Sequence, residues 1–204
     1  MIVVIDYGMG NLGSVLKSLK RLTIDAKIST SIQDIELADK LILPGVGHFS
    51  NGMKHLKEYD YLNILNDKVI KDQTPILGIC LGMQLFSSHS HEGNVDGLGW
   101  IDAEVVRFEI EDKVKWKIPH MGWNSVDIKR KSTFLGGIDQ DEQFYFVHSY
   151  HMNCMVKEDV LSSTEYAFEF TSAIQKGNIY GTQFHPEKSH DKGLEILNNF
   201  VHKI

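Results

Sequence analysis

The sequence is short of cysteine, proline and positive charge, and it has no long apolar run. Two cysteines, Cys80 and Cys154, in 204 residues cannot form a disulfide framework, so a reducing compartment is expected. No such staple is needed, because a chain of this length buries a large core without one. Lys and Arg number 21 against 27 Asp and Glu, a net charge of -6 with His neutral. That excludes nucleic acid as the main partner, since a phosphate footprint needs clustered cations. The densest basic stretch, Lys129-Arg130-Lys131, reads as a solvated cap on a strand end. The opening MIVVIDYG reaches Asp6 without a basic leader, and no stretch has the length and apolarity of a membrane span. A cytoplasmic location with no membrane partner is therefore expected. Four prolines and an ordinary 42% apolar and 24% charged content leave no room for a long disordered region. With no repeat, linker or low-complexity segment, residues 1–204 read as one domain. No C-x-x-C or H-E-x-x-H spacing is present, so neither a metal nor a cofactor is expected. His89-Ser90-His91 reads as a solvated loop.

What is present is an alternation of strand and helix patterns. Met1 to Ile5 is a short Ile/Val run of the kind buried on both faces of a sheet. In NLGSVLKSLKRL the apolar residues Leu12, Val15, Leu16, Leu19 and Leu22 have helical spacing, with basic residues late in the segment. Strands follow at Ala26–Ser29 and Lys40–Leu43, helices at Ser50–Tyr59 and Leu62–Lys71, and another apolar strand at Ile76–Ile79. This order implies an α/β fold: a mainly parallel central sheet with helices on both faces. Residues 100–183 hold short strand-like pieces instead: Glu104–Phe108, Val114–Lys117, Ser125–Ile128, Gln143–Val147, Ala173–Gln175 and Ile179–Phe184. These predict extra antiparallel strands, and a last helix is expected over Lys192–His202.

Three stretches bear on chemistry. Gly8 to Gly13 matches G-x-G-x-x-G between a strand and a helix. However, Thr30 and Ser31 stand where a dinucleotide site needs an acid, so these glycines read as a close strand-to-helix turn. Gly78-Ile79-Cys80-Leu81-Gly82 has the form of a nucleophile elbow with sulfur in place of oxygen. Cys80 is either a small packed hydrophobe or a nucleophile at a helix N-terminus, whose free N–H groups favour a thiolate and can hold an oxyanion. Gly181 to Glu187, GTQFHPE, supplies the matching base. Alternate residues of an extended segment face one side, so His185 and Glu187 can touch and the carboxylate can orient the ring. Pro186 biases His185 toward the extended conformation.

The stretches DYGMGNLGSV, LPGVGHF, PILGICLGMQL and GTQFHPEKS, together with PHMGWN at 119–124 and YFVHSY at 145–150, carry a resemblance. Along its whole length the chain resembles class I (triad) glutamine amidotransferases with a flavodoxin-like fold. Within that class it is most similar to the glutaminase subunits of imidazole glycerol phosphate synthase. The resemblance implies that Cys80 attacks the side-chain amide of L-glutamine, His185 moves the proton and Glu187 orients His185. It implies an oxyanion hole from Leu81 and the Val46-Gly47 turn, with a peptide flip within the Gly45-Val46-Gly47 segment as one route to it. Substrate contacts are implied for Gly45, Gln84, Glu92, His148, Ser149 and Tyr150. It implies a heterodimer with a (β/α)8-barrel cyclase that receives ammonia directly, and a partner or channel face at Asn11, Met121, Trp123, Tyr145 and Lys188. The pathway implied is histidine biosynthesis. The alternative is a related glutaminase that feeds amidino-sugar synthesis for surface polysaccharides. No G-G-E-S-T stretch is present, which argues against the glutaminases of pyridoxal phosphate synthesis, and PHMGWN argues against the anthranilate synthase type. Two positions depart from the family pattern: Gly13, and His190 after Ser189.

Overall fold

The computed structural model describes residues 1–112 and 114–204. Its first half is the expected alternation: β1 (Ile2–Ile5), α1 (Leu12–Arg21), β2 (Ala26–Ser29), α2 (Ile32–Glu36), β3 (Lys40–Gly45), α3 (Phe49–Glu58), α4 (Tyr61–Asn66), β4 (Ile76–Cys80) and α5 (Leu81–Gln84). The helical path of α4 continues as a π turn over Asp67–Lys71. There follow β5 (Ser87–Ser90), β6 (Val95–Asp96), β7 (Ile101–Arg107), β8 (His120–Ser125), β9 (Asp127–Ile128), β10 (Gln143–His148), β11 (Tyr150–Cys154), β12 (Val160–Tyr166), β13 (Phe168–Lys176), β14 (Ile179–Thr182) and α6 (His190–His202).

The central sheet has eight strands in the order β2-β1-β3-β4-β14-β13-β12-β9. The first five are parallel, and the last three add on antiparallel. A four-stranded sheet, β11-β7-β5-β6, and a two-stranded ribbon, β10-β8, complete it. Strand alternation divides the core into two layers. Ile2, Val4, Ile42, Leu77 and Ile79 face the layer packed by Val15 and Leu19 of α1 and Phe200 of α6. Val3, Ile5, Leu41, Leu43 and Ile76 face the layer packed by Phe49, Leu56, Tyr61 and Leu65 of α3 and α4. Burial on both faces explains why these strands read as unbroken apolar runs.

Two expectations fail for local reasons. Val114–Lys117 is a turn, because the Asp112 carboxylate accepts from the Val114 and Lys115 N–H groups at 3.1 and 3.0 Å. That side-chain bond competes with strand pairing. Ser125–Ile128 is not one strand: Ser125 closes β8, and only Asp127 and Ile128 pair with β12. The basic stretch at 129–131 sits on the surface as expected. Lys129 is bound by Asp127 and Glu169, and Arg130 by the Glu158 and Gln175 carbonyls.

Candidate active site

Three neighbouring parallel strands end side by side, at the edge where α/β sheets place their sites. β4 lies between β3 and β14, with Gly45 opposite Cys80 and Thr182 opposite Ile79. The segments leaving these ends are Gly45-Val46-Gly47, Cys80 with α5, and Gln183 to Glu187.

Cys80 adopts φ 55° and ψ -110°, a conformation that costs an L-residue about 1–3 kcal/mol. The two elbow glycines follow from close approach. A Cβ at Gly82 would lie 1.8 Å from the Leu43 carbonyl oxygen, and one at Gly78 2.6 Å from the Met83 nitrogen. The helix expected after Cys80 is a single turn, Leu81–Gln84, so the free N–H groups remain while little macrodipole builds up. Cys80 is 6% exposed. Its sulfur lies 4.0 Å from the Val147 carbonyl and 3.6 Å from Nε2 of Gln183. Gln183 is fully buried, and its Oε1 accepts from Nε2 of Gln84 at 2.9 Å.

His185 and Glu187 meet, but not by strand alternation. His185 is extended (φ -99°, ψ 96°), whereas Pro186–Lys188 forms a 3₁₀ turn that swings the carboxylate under the ring. Nδ1 of His185 lies 2.8 Å from Oε1 of Glu187, and both side chains are almost wholly buried. Ser189 fixes this turn: its hydroxyl donates to the His185 carbonyl at 2.6 Å and accepts from the Tyr145 N–H at 3.0 Å. The other ring nitrogen, Nε2, has no well-aligned hydrogen bond among the described residues. Burial alone would lower the His185 pKa. The charge and proximity of the Cys80 sulfur, then the Glu187 carboxylate, outweigh it and raise the value to about 10. The protonated ring is thereby favoured, held between a carboxylate and a sulfur.

A cavity of about 310 Å³ opens on Cys80, at the small end of the range for ligand sites. Val46, Gly47, Leu81, Gln84, Glu92, His148, Ser149 and Tyr150 all line it, together with Pro119 and Val147, which sequence reasoning did not single out. Gly45, His185 and Glu187 do not line it. Oε2 of Glu92 accepts from the Phe49 N–H at the start of α3 at 2.8 Å, which anchors an acid in the cavity wall. Gln84 is 4% exposed, and its Nε2 also donates to the Tyr150 carbonyl at 2.9 Å. Neither residue is a merely solvated surface group.

His148 is the end of a buried relay. Its Nδ1 faces the Tyr150 carbonyl at 2.7 Å, so that nitrogen carries the proton. Its Nε2 then accepts from Nδ1 of His120 at 3.0 Å, and Nε2 of His120 accepts from the Asn124 amide at 3.3 Å. Two neutral rings satisfy every bond of this chain. Accordingly, burial pushes His148 well below its usual range and His120 down to about 4.

The five residues expected at a partner face lie outside the cavity. Met121 and Trp123 are 61% and 44% exposed, which rules out a core tryptophan. Trp123 pairs with Tyr145 across the ribbon and stacks on His190 at 4.8 Å with rings 5° from parallel. Nζ of Lys188 lies 5.6 Å over the Tyr145 ring. Asn11 caps α1, accepting from the Ser14 N–H at 3.3 Å. In the segment expected as a loop, His89 belongs to β5 and is held by Asp96 and Asn94.

The sequence pattern of the glutamine amidotransferase class-I family matches residues 3–204. The chain belongs to that family. Within it, the chain is 50% identical to imidazole glycerol phosphate synthase subunit HisH 2 of Methanococcus maripaludis, covering 98% of each chain. It is 48% identical to the subunit HisH 2 of Pseudomonas aeruginosa over the whole of both. The HisH 1 of the same M. maripaludis strain is 43% identical over the full length of both. Among solved structures, one described as a glutamine amidotransferase superposes with a TM-score of 0.75 at 20% identity, covering 98% of this chain and 100% of that one. The glutaminase domain of Trypanosoma brucei CTPS with bound acivicin gives 0.65 at 17% identity, covering 98% of this chain and 93% of that one. These structural likenesses establish the class-I amidotransferase fold for this chain.

Proposed function

We propose that this amidotransferase is the glutaminase subunit of a two-subunit synthase, and that its chemistry runs on Cys80, His185 and Glu187. The sulfur of Cys80 attacks the side-chain carbonyl carbon of L-glutamine. The developing oxyanion is held by the Leu81 N–H and by an N–H of the Val46-Gly47 turn. Protonated His185 gives its proton to the amide nitrogen, the C–N bond breaks, and ammonia leaves a glutamyl thioester on Cys80. His185 then takes a proton from water as the water attacks the thioester, releasing glutamate and restoring the cysteine. Glu187 holds the imidazolium throughout. Glu92 in the cavity wall suits the substrate ammonium group, and residues 148–150 suit its main chain.

The observation that carries this reading is the convergence of a strained cysteine, a buried His–Glu pair and an acid-bearing cavity at one sheet edge. Ammonia released to solvent is protonated and lost, so a partner must receive it directly. Relatives named as imidazole glycerol phosphate synthase subunits support, as that partner, a (β/α)8-barrel cyclase making imidazole glycerol phosphate and an aminoimidazole carboxamide ribotide in histidine biosynthesis. With that partner present, Cys80→Ala should abolish glutamate release, and a thiol-alkylating glutamine analogue should label Cys80. Undiminished turnover in the variant would remove Cys80 from the reaction.

A second reading is favoured by one observation. M. maripaludis has two HisH proteins, and this chain is 50% identical to one and 43% to the other. Two copies in one organism leave one free to serve another acceptor, such as an amidino-sugar synthase. Reconstitution decides between them. Glutamine-dependent formation of imidazole glycerol phosphate with the cyclase supports the histidine role; its absence, with ammonia delivered to a sugar-modifying partner, supports the other.

A further inference from the structure

Tyr7 and Tyr61 are both completely buried in the same core layer, yet their hydroxyls fare differently. The Tyr61 hydroxyl reaches the Thr30 carbonyl at 2.7 Å and the Asp6 carbonyl at 3.2 Å. The Tyr7 hydroxyl has no hydrogen-bond partner among the described residues. A buried donor left unsatisfied is costly, and phenylalanine would fill the same space without that cost. The position of the oxygen gives the reason to keep it. It lies 2.5 Å from where a Cβ on Gly45 would stand, beside the Gly82 nitrogen and Leu81. Gly45 is therefore a glycine by close approach, and the phenol sits directly against it. The hydroxyl is also near enough for the charge of Cys80 to act on it, and burial with that charge keeps the phenol protonated. It is thus a permanent donor packed against Gly45, the residue that opens the turn whose Val46 and Gly47 line the cavity.

We infer that Tyr7 is a positioning residue of the glutaminase centre, a donor kept for the Gly45 carbonyl when the turn assumes its working conformation. The inference rests on the proposed role of that turn in holding the oxyanion. The carbonyl of Gly45 is bonded to the Cα against which the phenol packs, so rotation about that residue's ψ brings the oxygen within the hydroxyl's reach. In a trans peptide the C=O and the next N–H point in opposite directions. Drawing the Gly45 carbonyl toward Tyr7 turns the Val46 N–H the opposite way, away from the phenol and into the space that Val46 and Gly47 line. The orphan hydroxyl stabilises that state alone, and leaves the observed state with an unmet bond.

The test uses the complex with its synthase partner and compares Tyr7→Phe with Tyr61→Phe. For Tyr7→Phe, kcat for glutamine hydrolysis should fall about tenfold, the rate equivalent of one hydrogen bond. The KM for glutamine should be little changed, and the Tm should be equal to or above wild type, because no existing bond is lost. Tyr61→Phe should do the reverse, lowering Tm and sparing kcat. An unchanged kcat in Tyr7→Phe, or a loss that merely follows a lowered Tm, overturns the inference. If the wild-type complex itself hydrolyses no glutamine, the glutaminase reading falls first and this one with it. Where the wild type is active and Cys80→Ala silences it, a failed Tyr7→Phe result counts against the role of Tyr7 alone.

Discussion

At the scale of single residues the most informative group is His185, whose pKa is raised although burial works against it. The folded value, about 10, stands above an unfolded value of about 6.5. A protonated ring therefore contributes stability that is present in full below about pH 6.5 and is lost as the pH climbs through the folded value. Glu187→Gln removes one of the two groups that raise it. We expect ring NMR to show His185 titrating at lower pH in that variant, the alkaline loss of stability to begin earlier, and kcat to drop by roughly 10²- to 10⁴-fold. A ring titration that does not move would contradict the role given to Glu187. That Cys80, His185 and Glu187 come together was legible in the sequence because each lies in a short motif, although the His–Glu contact is made by a 3₁₀ turn and not by strand alternation. Gln183 was not, although it stands two residues before His185. Its contact with the thiol and with Gln84 arises because β14 pairs with β4, a long-range fact no local pattern encodes. Tyr7 was hidden for the same reason, since an apolar-looking residue after a buried strand gives no sign that its hydroxyl lacks an acceptor.

At the scale of elements, the strand–elbow–helix unit β4–α5 leaves no room for added side chains. Gly82→Ala would drive a methyl group into the Leu43 carbonyl, a backbone atom that cannot turn aside. The strand–turn junction would have to shift, at a cost of about 1–3 kcal/mol or more. Thermal unfolding should show a lowered Tm, and glutaminase activity should vanish even with Cys80, His185 and Glu187 all present. A variant with normal Tm and rate would mean that β3 and α5 are less tightly opposed than described. Elements obeying hydrophobic periodicity, such as β1, α1, β3 and α6, were readable to within a few residues. β12 was not, because its buried residues include Ser162 and Thr164. Polar side chains are tolerated inside where partners exist: Ser162 bonds the Ser172 hydroxyl, and Thr164 the Ser125 carbonyl. Satisfied hydroxyls defeat a reading that looks for oily residues inside. α2 escaped because five residues are too few to display a helical period.

At the scale of the whole molecule, the question is how an event on the surface reaches a buried histidine. Trp123 and Met121 stand out from the β8–β10 ribbon as exposed apolar groups, the composition of an interface anchor. Trp123 is cross-strand partner to Tyr145, whose carbonyl accepts from the His185 N–H at 2.9 Å and whose own N–H is bound by Ser189. Only one strand therefore separates the candidate docking face from His185. His190, the departure from the family pattern, stacks flat on Trp123, so it belongs to the same candidate docking face. In the proposed complex a partner seated on this face would press on Trp123 and Tyr145, and through their backbone bonds on the turn that carries His185 and Glu187. If so, Trp123→Ala should weaken partner binding by about tenfold or more, as loss of an aromatic anchor does. It should also reduce the stimulation of glutaminase activity at saturating partner, while labelling of Cys80 by a glutamine analogue and the Tm of the isolated chain stay near wild type. Calorimetry gives the affinity, and rates with and without partner give the stimulation. Unaltered binding and full stimulation would place the docking face elsewhere; weaker binding with full stimulation at saturation would keep the face but break the route through Tyr145.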